Sequence, residues 1–97
     1  MPSVRLAPAA LRDLRRLQEF LRDKDAGAAQ RAGQVIEKGL RTLAEHPQIG
    51  HPVEDMDEAF RIWPIPFGAS GYLALYRIDP EAVTILAIRH QKESGWT

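Results

Sequence analysis

The hydrophobic period of this chain changes once, and that change dictates what it can fold into. Between Pro8 and Glu45, apolar residues recur three and four positions apart. Ala10, Leu14, Leu17 and Leu21, with Leu11 alongside, make one stripe; Ala29, Ala32, Ile36, Leu40 and Leu43 make a second. Such spacing predicts two amphipathic helices. DKDAG at 23–27 reads as the turn between them, with Asp25 placed to cap the second. Pro8 suits a first helical turn, and Pro47 ends the second helix near Glu45. Arg12, Asp13, Arg15, Arg16, Glu19 and Arg22 are expected on the charged outer face of the first helix. The alanines of the second helix, with Gly39 beside them, are expected to let the two helices approach closely.

Beyond residue 59 the pattern is that of strands. AFRIWPIPF at 59–67, YLALYRI at 72–78 and VTILAIRH at 83–90 are separated by the turn sequences GASG and DPEA. Two prolines in the first of these point to an edge position. SVRLA at 3–7 alternates as a short leading strand, HPQIGHPVEDMDEA at 46–59 reads as a loop, and QKESGWT is a polar tail. Strands joined by short turns run antiparallel. The order β-α-α-β-β-β therefore predicts a two-layer α+β fold, a helical hairpin packed on a small antiparallel sheet. Its length of 97 residues is expected to form one domain spanning 1–97.

Charge argues against a dedicated nucleic-acid binder, because 13 basic and 13 acidic side chains cancel. The absence of cysteine removes disulfides, thiolate nucleophiles and Cys-ligated metals, and it fits a reducing cytoplasm. No apolar run approaches the roughly 20 residues that span a bilayer, and no signal-peptide core is visible. GxGxxG, GxxxxGK[ST], HExxH and GxSxG patterns are all missing, so no nucleotide, metal or other cofactor is indicated.

Simple pairing across DPEA sorts the hairpin into two faces. One holds Leu73, Leu75 and Arg77 with Thr84, Leu86, Ile88 and His90; the other holds Tyr72, Ala74, Tyr76 and Ile78 with Val83, Ile85, Ala87 and Arg89. Both faces are apolar enough to be covered, so one meets the helices and the other invites a partner. On this register Arg77 and Arg89 point to opposite sides. His90 has the chemistry of a general base, or is a strand-end histidine satisfied locally. Arg61, Arg77, Arg89 and Lys92 could gather a phosphate or carboxylate, or stand solvated. His46 and His51 match no metal spacing, and EDMDE at 54–58 reads as a solvated loop. Trp63 is expected in the core; Trp96 stands alone in the tail.

AALRDLRRLQEFL, HPQIGHPV, FRIWPIPFGASGYLALYRID and VTILAIRHQKESGW, in that order and spacing, resemble the RelE/ParE superfamily of toxins from type II toxin–antitoxin systems. The resemblance spans nearly the whole chain and implies the same β-α-α-β-β-β fold. It also implies a cognate ParD-like antitoxin that assembles with the toxin. RelE-like members cut mRNA in the ribosome and carry an arginine where this chain has Leu73. Their lysines on the preceding strand are represented here by Arg61 alone. ParE-like members, which are understood to poison DNA gyrase, share the apolar Y-x-x-x-Y strand and the ILAIRH ending. The closer resemblance is to ParE, with Tyr72, Tyr76, Arg89 and Trp96 expected to contact target or antitoxin. The RelE alternative would place catalysis on Arg61, Arg77, His90 and Lys92. A third reading is an inactive toxin-like module that acts only through antitoxin binding.

Overall fold

A computed structural model describes residues 3–93 of the chain. Strand β1 (Ser3–Leu6) leads into helix α1 (Pro8–Lys24), and Asp25 alone separates α1 from helix α2 (Ala26–Glu45). The Asp25 carboxylate accepts from Gly27 N and Ala28 N at 2.9 and 3.2 Å, so it caps α2 as its position in the sequence suggested. A short 3₁₀ turn, Pro47–Ile49, follows. The strands β2 (His51–Pro52), β3 (Phe60–Phe67), β4 (Ser70–Ile78) and β5 (Ala82–His90) complete the fold.

The sheet order is β1-β5-β4-β3-β2. β3, β4 and β5 are antiparallel neighbours, as their short connections require. β1 joins the edge of β5 in parallel, Ser3 opposite Ala82 through Leu6 opposite Ile85, so the five-stranded sheet is mixed. Two residues of the expected loop, His51 and Pro52, pair with Ile62 and Arg61 as β2. Pro64 and Pro66 lie beyond that short pairing, on the outer side of β3. Alternation turns their backbone away from β4, so neither proline costs a ladder bond, and both remove donors from an open edge.

One irregularity reorganises the sheet. Leu75 stands opposite Ala87 but Tyr76 stands opposite Ile85, which leaves Leu86 as an extra residue on β5. This β-bulge moves everything after it to the other face. The simple pairing is therefore corrected: Ile88 and His90 share the face of Tyr72, Ala74 and Tyr76, while Arg89 lies opposite Leu73.

The helices cover the tyrosine face. Ala10, Leu17, Ile36, Leu40 and Leu43 pack there against Ile65, Tyr72, Ala74, Tyr76, Ile85 and Ile88. Gly39 serves this layer contact, not the helix–helix one: a Cβ on it would come within 3.0 Å of Ile65 Cδ1. Phe60, Ile62, Leu73, Leu75, Arg77, Thr84 and Arg89 on the other face are half-buried, and none belongs to the core.

Candidate functional site

The C-terminal half of α1, the β3–β4 turn and the end of β5 enclose a groove of about 790 Å³. Leu17, Phe20, Leu21, Phe67 and Tyr72 supply its apolar wall; Arg16, Ser70, His90, Lys92 and Glu93 supply a polar end. Phe20 is 61% exposed, and the Lys24 ammonium sits 5.0 Å from its ring centroid.

His90 is held on three sides. Its ring meets Tyr72 edge-on, its Nε2 lies 2.9 Å from Ser70 Oγ, and its Nδ1 accepts from Lys92 N at 3.1 Å. A neutral imidazole that accepts at Nδ1 carries its proton on Nε2. Nε2 therefore donates to Ser70, and the pair is not a base poised over a nucleophile. Lys92 approaches His90 through its backbone.

The three arginines have separate structural partners. Arg61 Nη1 donates to Gly50 O at 2.7 Å, and its Nη2 lies 3.3 Å from Gln48 Oε1. It pins the 47–50 segment to the helix side of the sheet. Arg77 Nε donates to Asp79 Oδ1 at 2.7 Å, and Thr84 Oγ1 donates to Asp79 Oδ2 at 2.6 Å. The hydrogen bond from Arg77, then that from Thr84, holds the Asp79 carboxyl below the usual carboxylate range. Arg89 donates to the carbonyls of His90 and Glu93 and closes the turn after β5.

The candidate catalytic set is thus dispersed. Arg77 lies on the open face, opposite to His90 and Arg61. Arg61 pairs with Tyr76 and His90 with Tyr72, so four positions of β4, about 13 Å, separate them. Arg77 and Arg89, expected on opposite sides, share the open face because of the bulge. Leu73 occupies the centre of that face, between Arg89 and Pro64.

Of the expected contact residues, Tyr72 and Tyr76 are core, 2% and 0% exposed. This corrects the expectation that Tyr76 faces a partner, since the sheet turns that side toward the helices, and Tyr72 reaches the surface only as part of the groove wall. Tyr76 Oη donates to Pro47 O at 2.6 Å and accepts from Gly50 N at 3.0 Å. Burial raises its pKa and outweighs the opposing effects of the Gly50 N–H and the Arg61 charge. Trp96 lies outside the described residues. Trp63 is partly buried against the core, while His46 and His51 are exposed. Among the described residues no cluster of three or more His, Asp or Glu could hold a metal, and no helix is long and apolar enough to cross a membrane.

Asp13 is the residue that the charged-face expectation misplaced. It is 8% exposed, and its Oδ2 accepts from Ile88 N at 2.9 Å. Its place in the stripe was legible, because it stands three residues after Ala10 and four before Leu17. Glu93 Oε1 accepts from His90 N at 2.8 Å, and its Oε2 lies 2.7 Å from Arg16 Nη1. Burial alone would raise the Glu93 pKa; the His90 N–H and the Arg16 guanidinium outweigh it and hold the pKa down.

Residues 4–95 match the family model of the ParE toxin of the type II toxin–antitoxin system parDE. The chain belongs to that family. Among curated relatives of this ParE-family chain, Toxin RelE3 of Caulobacter vibrioides is 39% identical over 94 residues, covering 96% of this chain and 98% of the relative. Toxin RelE1 of the same organism is 35% identical over 91 residues, covering 94% and 95%. A chain of the chromosomal ParDE system from P. aeruginosa superposes with a TM-score of 0.73 at 19% identity, covering 93% of this chain and 96% of the other, a likeness of fold. A chain of the toxin–antitoxin complex RelBE2 from Mycobacterium tuberculosis gives 0.63 at 26% identity, covering 94% and 100%. The family is therefore a toxin family, and the names of its relatives divide between ParE and RelE.

Proposed function

We propose that this chain is a growth-arresting toxin that acts by binding a protein target, DNA gyrase, and that a cognate ParD-like antitoxin neutralises it in the cytoplasm. The observation that carries the reading against RNA cleavage is the dispersal of Arg61, Arg77 and His90 over both faces of the sheet, with Leu73 at the centre of the open one. Metal-independent RNA cleavage needs a base, an acid and preorganised cations around one phosphate. Here each arginine has a local hydrogen-bonding partner, and His90 donates from Nε2 to Ser70. The match to the ParE family model supports the gyrase reading. The apolar groove beside α1 supports an antitoxin partner, since an exposed phenylalanine over apolar walls favours a covering segment. The mycobacterial RelBE2 neighbour comes from a toxin–antitoxin complex, which supports the same partner class.

The RelE names of the two curated relatives favour a second reading, a ribosome-dependent mRNA endonuclease. Supercoiling and DNA-cleavage assays with purified gyrase, run beside transcript-end mapping minutes after induction, separate the two. Gyrase-dependent DNA breaks with intact transcripts are the expected result. Codon-linked cuts that require translating ribosomes would overturn it and make Arg61, Arg77, His90 and Lys92 the first residues to substitute.

A further inference from the structure

β1 ends at Leu6, and Ala7 N makes the last contact to this edge, donating to Ile85 O. Among the described residues no strand pairs with β5 on that side from Ala87 onward. Gln91 N donates to Gly71 O across β4, so alternation turns the N–H groups of Ile88 and His90 the other way, toward α1. Two carboxylates take the place of the missing strand: Asp13 accepts from Ile88 and Glu93 accepts from His90. These two N–H groups are two residues apart, about 7 Å along the strand. Two negative charges at that spacing repel. Arg16 stands between them, with Nη1 at 2.7 Å from Glu93 and Nη2 at 3.7 Å from Asp13.

We propose that Arg16 is a positioning residue for the C-terminal end of the toxin, holding the turn at residues 90–93 in place by neutralising the two carboxylates that cap the open edge of β5. Its side chain is 48% exposed and that of Glu93 is 37% exposed. As a simple ion pair the contact therefore contributes little. Its role lies in letting both carboxylates stay seated on their N–H groups at once. Without Arg16 one carboxylate must yield. Asp13 is buried on a helix packed in the core, whereas Glu93 belongs to a terminal turn, so Glu93 is the one that leaves. The Glu93 N–H bond to His90 O and the Lys92 N–H bond to His90 Nδ1 belong to the same turn and loosen with it. The turn at residues 90–93 is then no longer held against the end of β5. The link from this geometry to growth arrest rests on the toxin reading above.

The test uses the full chain as wild type, Arg16→Ala, Arg16→Lys and the double variant Arg16→Ala/Glu93→Gln. Amide hydrogen exchange is read at Ile88 and His90, and growth is followed after induction. In Arg16→Ala, His90 should lose about tenfold in protection while Ile88 keeps most of its own. Arg16→Lys, which retains the charge, should fall between wild type and alanine. The double variant is decisive: glutamine keeps an acceptor for His90 N and removes the repulsion, so protection should return. A simple ion-pair role predicts no such recovery, since each change alone would break the pair. Unchanged His90 protection in Arg16→Ala, or no recovery in the double variant, would overturn the proposal. Growth arrest should weaken in Arg16→Ala and return with protection; full arrest by Arg16→Ala despite lost protection would refute its functional half. If the wild-type chain arrests no growth, the toxin reading falls, and the exchange results alone decide the positioning role.

Discussion

The rings of Tyr72 and His90 meet edge-on, their centroids 5.6 Å apart and their planes 84° apart. They meet because Leu86 stands outside the ladder as an extra residue on β5; were Leu86 paired with Leu75, Arg89 would occupy that position. The bulge thus decides which ionisable side chain faces the apolar groove and which faces the open sheet.

Deleting Leu86 alone should therefore be far less damaging than deleting Leu86 and Ala87 together. The single deletion removes the unpaired residue and leaves Ile88 and His90 on the Tyr72 face. The double deletion would force Arg89 onto that face and turn Ile88, now fully buried, outward. Loss of a cooperative urea transition is expected for the double deletion, whereas the single deletion should retain one. A double-deletion variant with a wild-type midpoint would show that the register after residue 86 is not fixed by the pairing with β4.

Tyr76→Phe tests the polar lock beneath the 47–50 segment. Removing the hydroxyl leaves Gly50 N and Pro47 O without the partner they share. A buried polar group stripped of its partner costs about 1–3 kcal/mol, which is the loss expected in denaturant unfolding. Gly50→Ala should be at least as harmful, because its Cβ would come within 2.5 Å of the Tyr76 hydroxyl.

Asp13 offers a graded test of the edge cap. Asp13→Ala leaves the buried Ile88 N–H unpaired and should cost about 1–3 kcal/mol. Asp13→Asn keeps an acceptor and should cost less. Equal losses from both, measured by urea titration, would mean that the charge and not the hydrogen bond is what the site requires.

The pH dependence of stability should show the Asp79 interaction. Its folded pKa is lowered from an ordinary 3.8, so its contribution is present above that value and is lost as pH falls through the folded-state pKa. Thermal melting should then be lower for Asp79→Asn than for wild type near neutral pH. The gap should close in acid, below pH 3.8. A gap that stays constant down to acid pH would assign the effect to packing in the turn instead.

What the sequence determined by itself was local. Two helical stripes, three strands and their turns follow from spacing and from Pro8, Asp25 and Pro47, since periodicity reports the geometry of a single segment. The order β-α-α-β-β-β and the two-layer arrangement follow from the same signals. The tertiary structure decided what depends on pairs of segments. Alternation along VTILAIRH contains no mark that Leu86 goes unpaired, because a bulge is a mismatch between two strands and not a property of either. Only the pairing with β4 moved His90 beside Tyr72 and put Arg89 with Arg77. Spacing alone puts Asp13 in the apolar stripe of α1, but only laying α1 against β5 supplies the reason, an N–H without a strand partner that makes burial of a carboxylate favourable. Arg16 and Glu93 are 77 residues apart in the chain, and nothing in either segment announces the other. Their contact exists because β1 is four residues long and stops before β5 does.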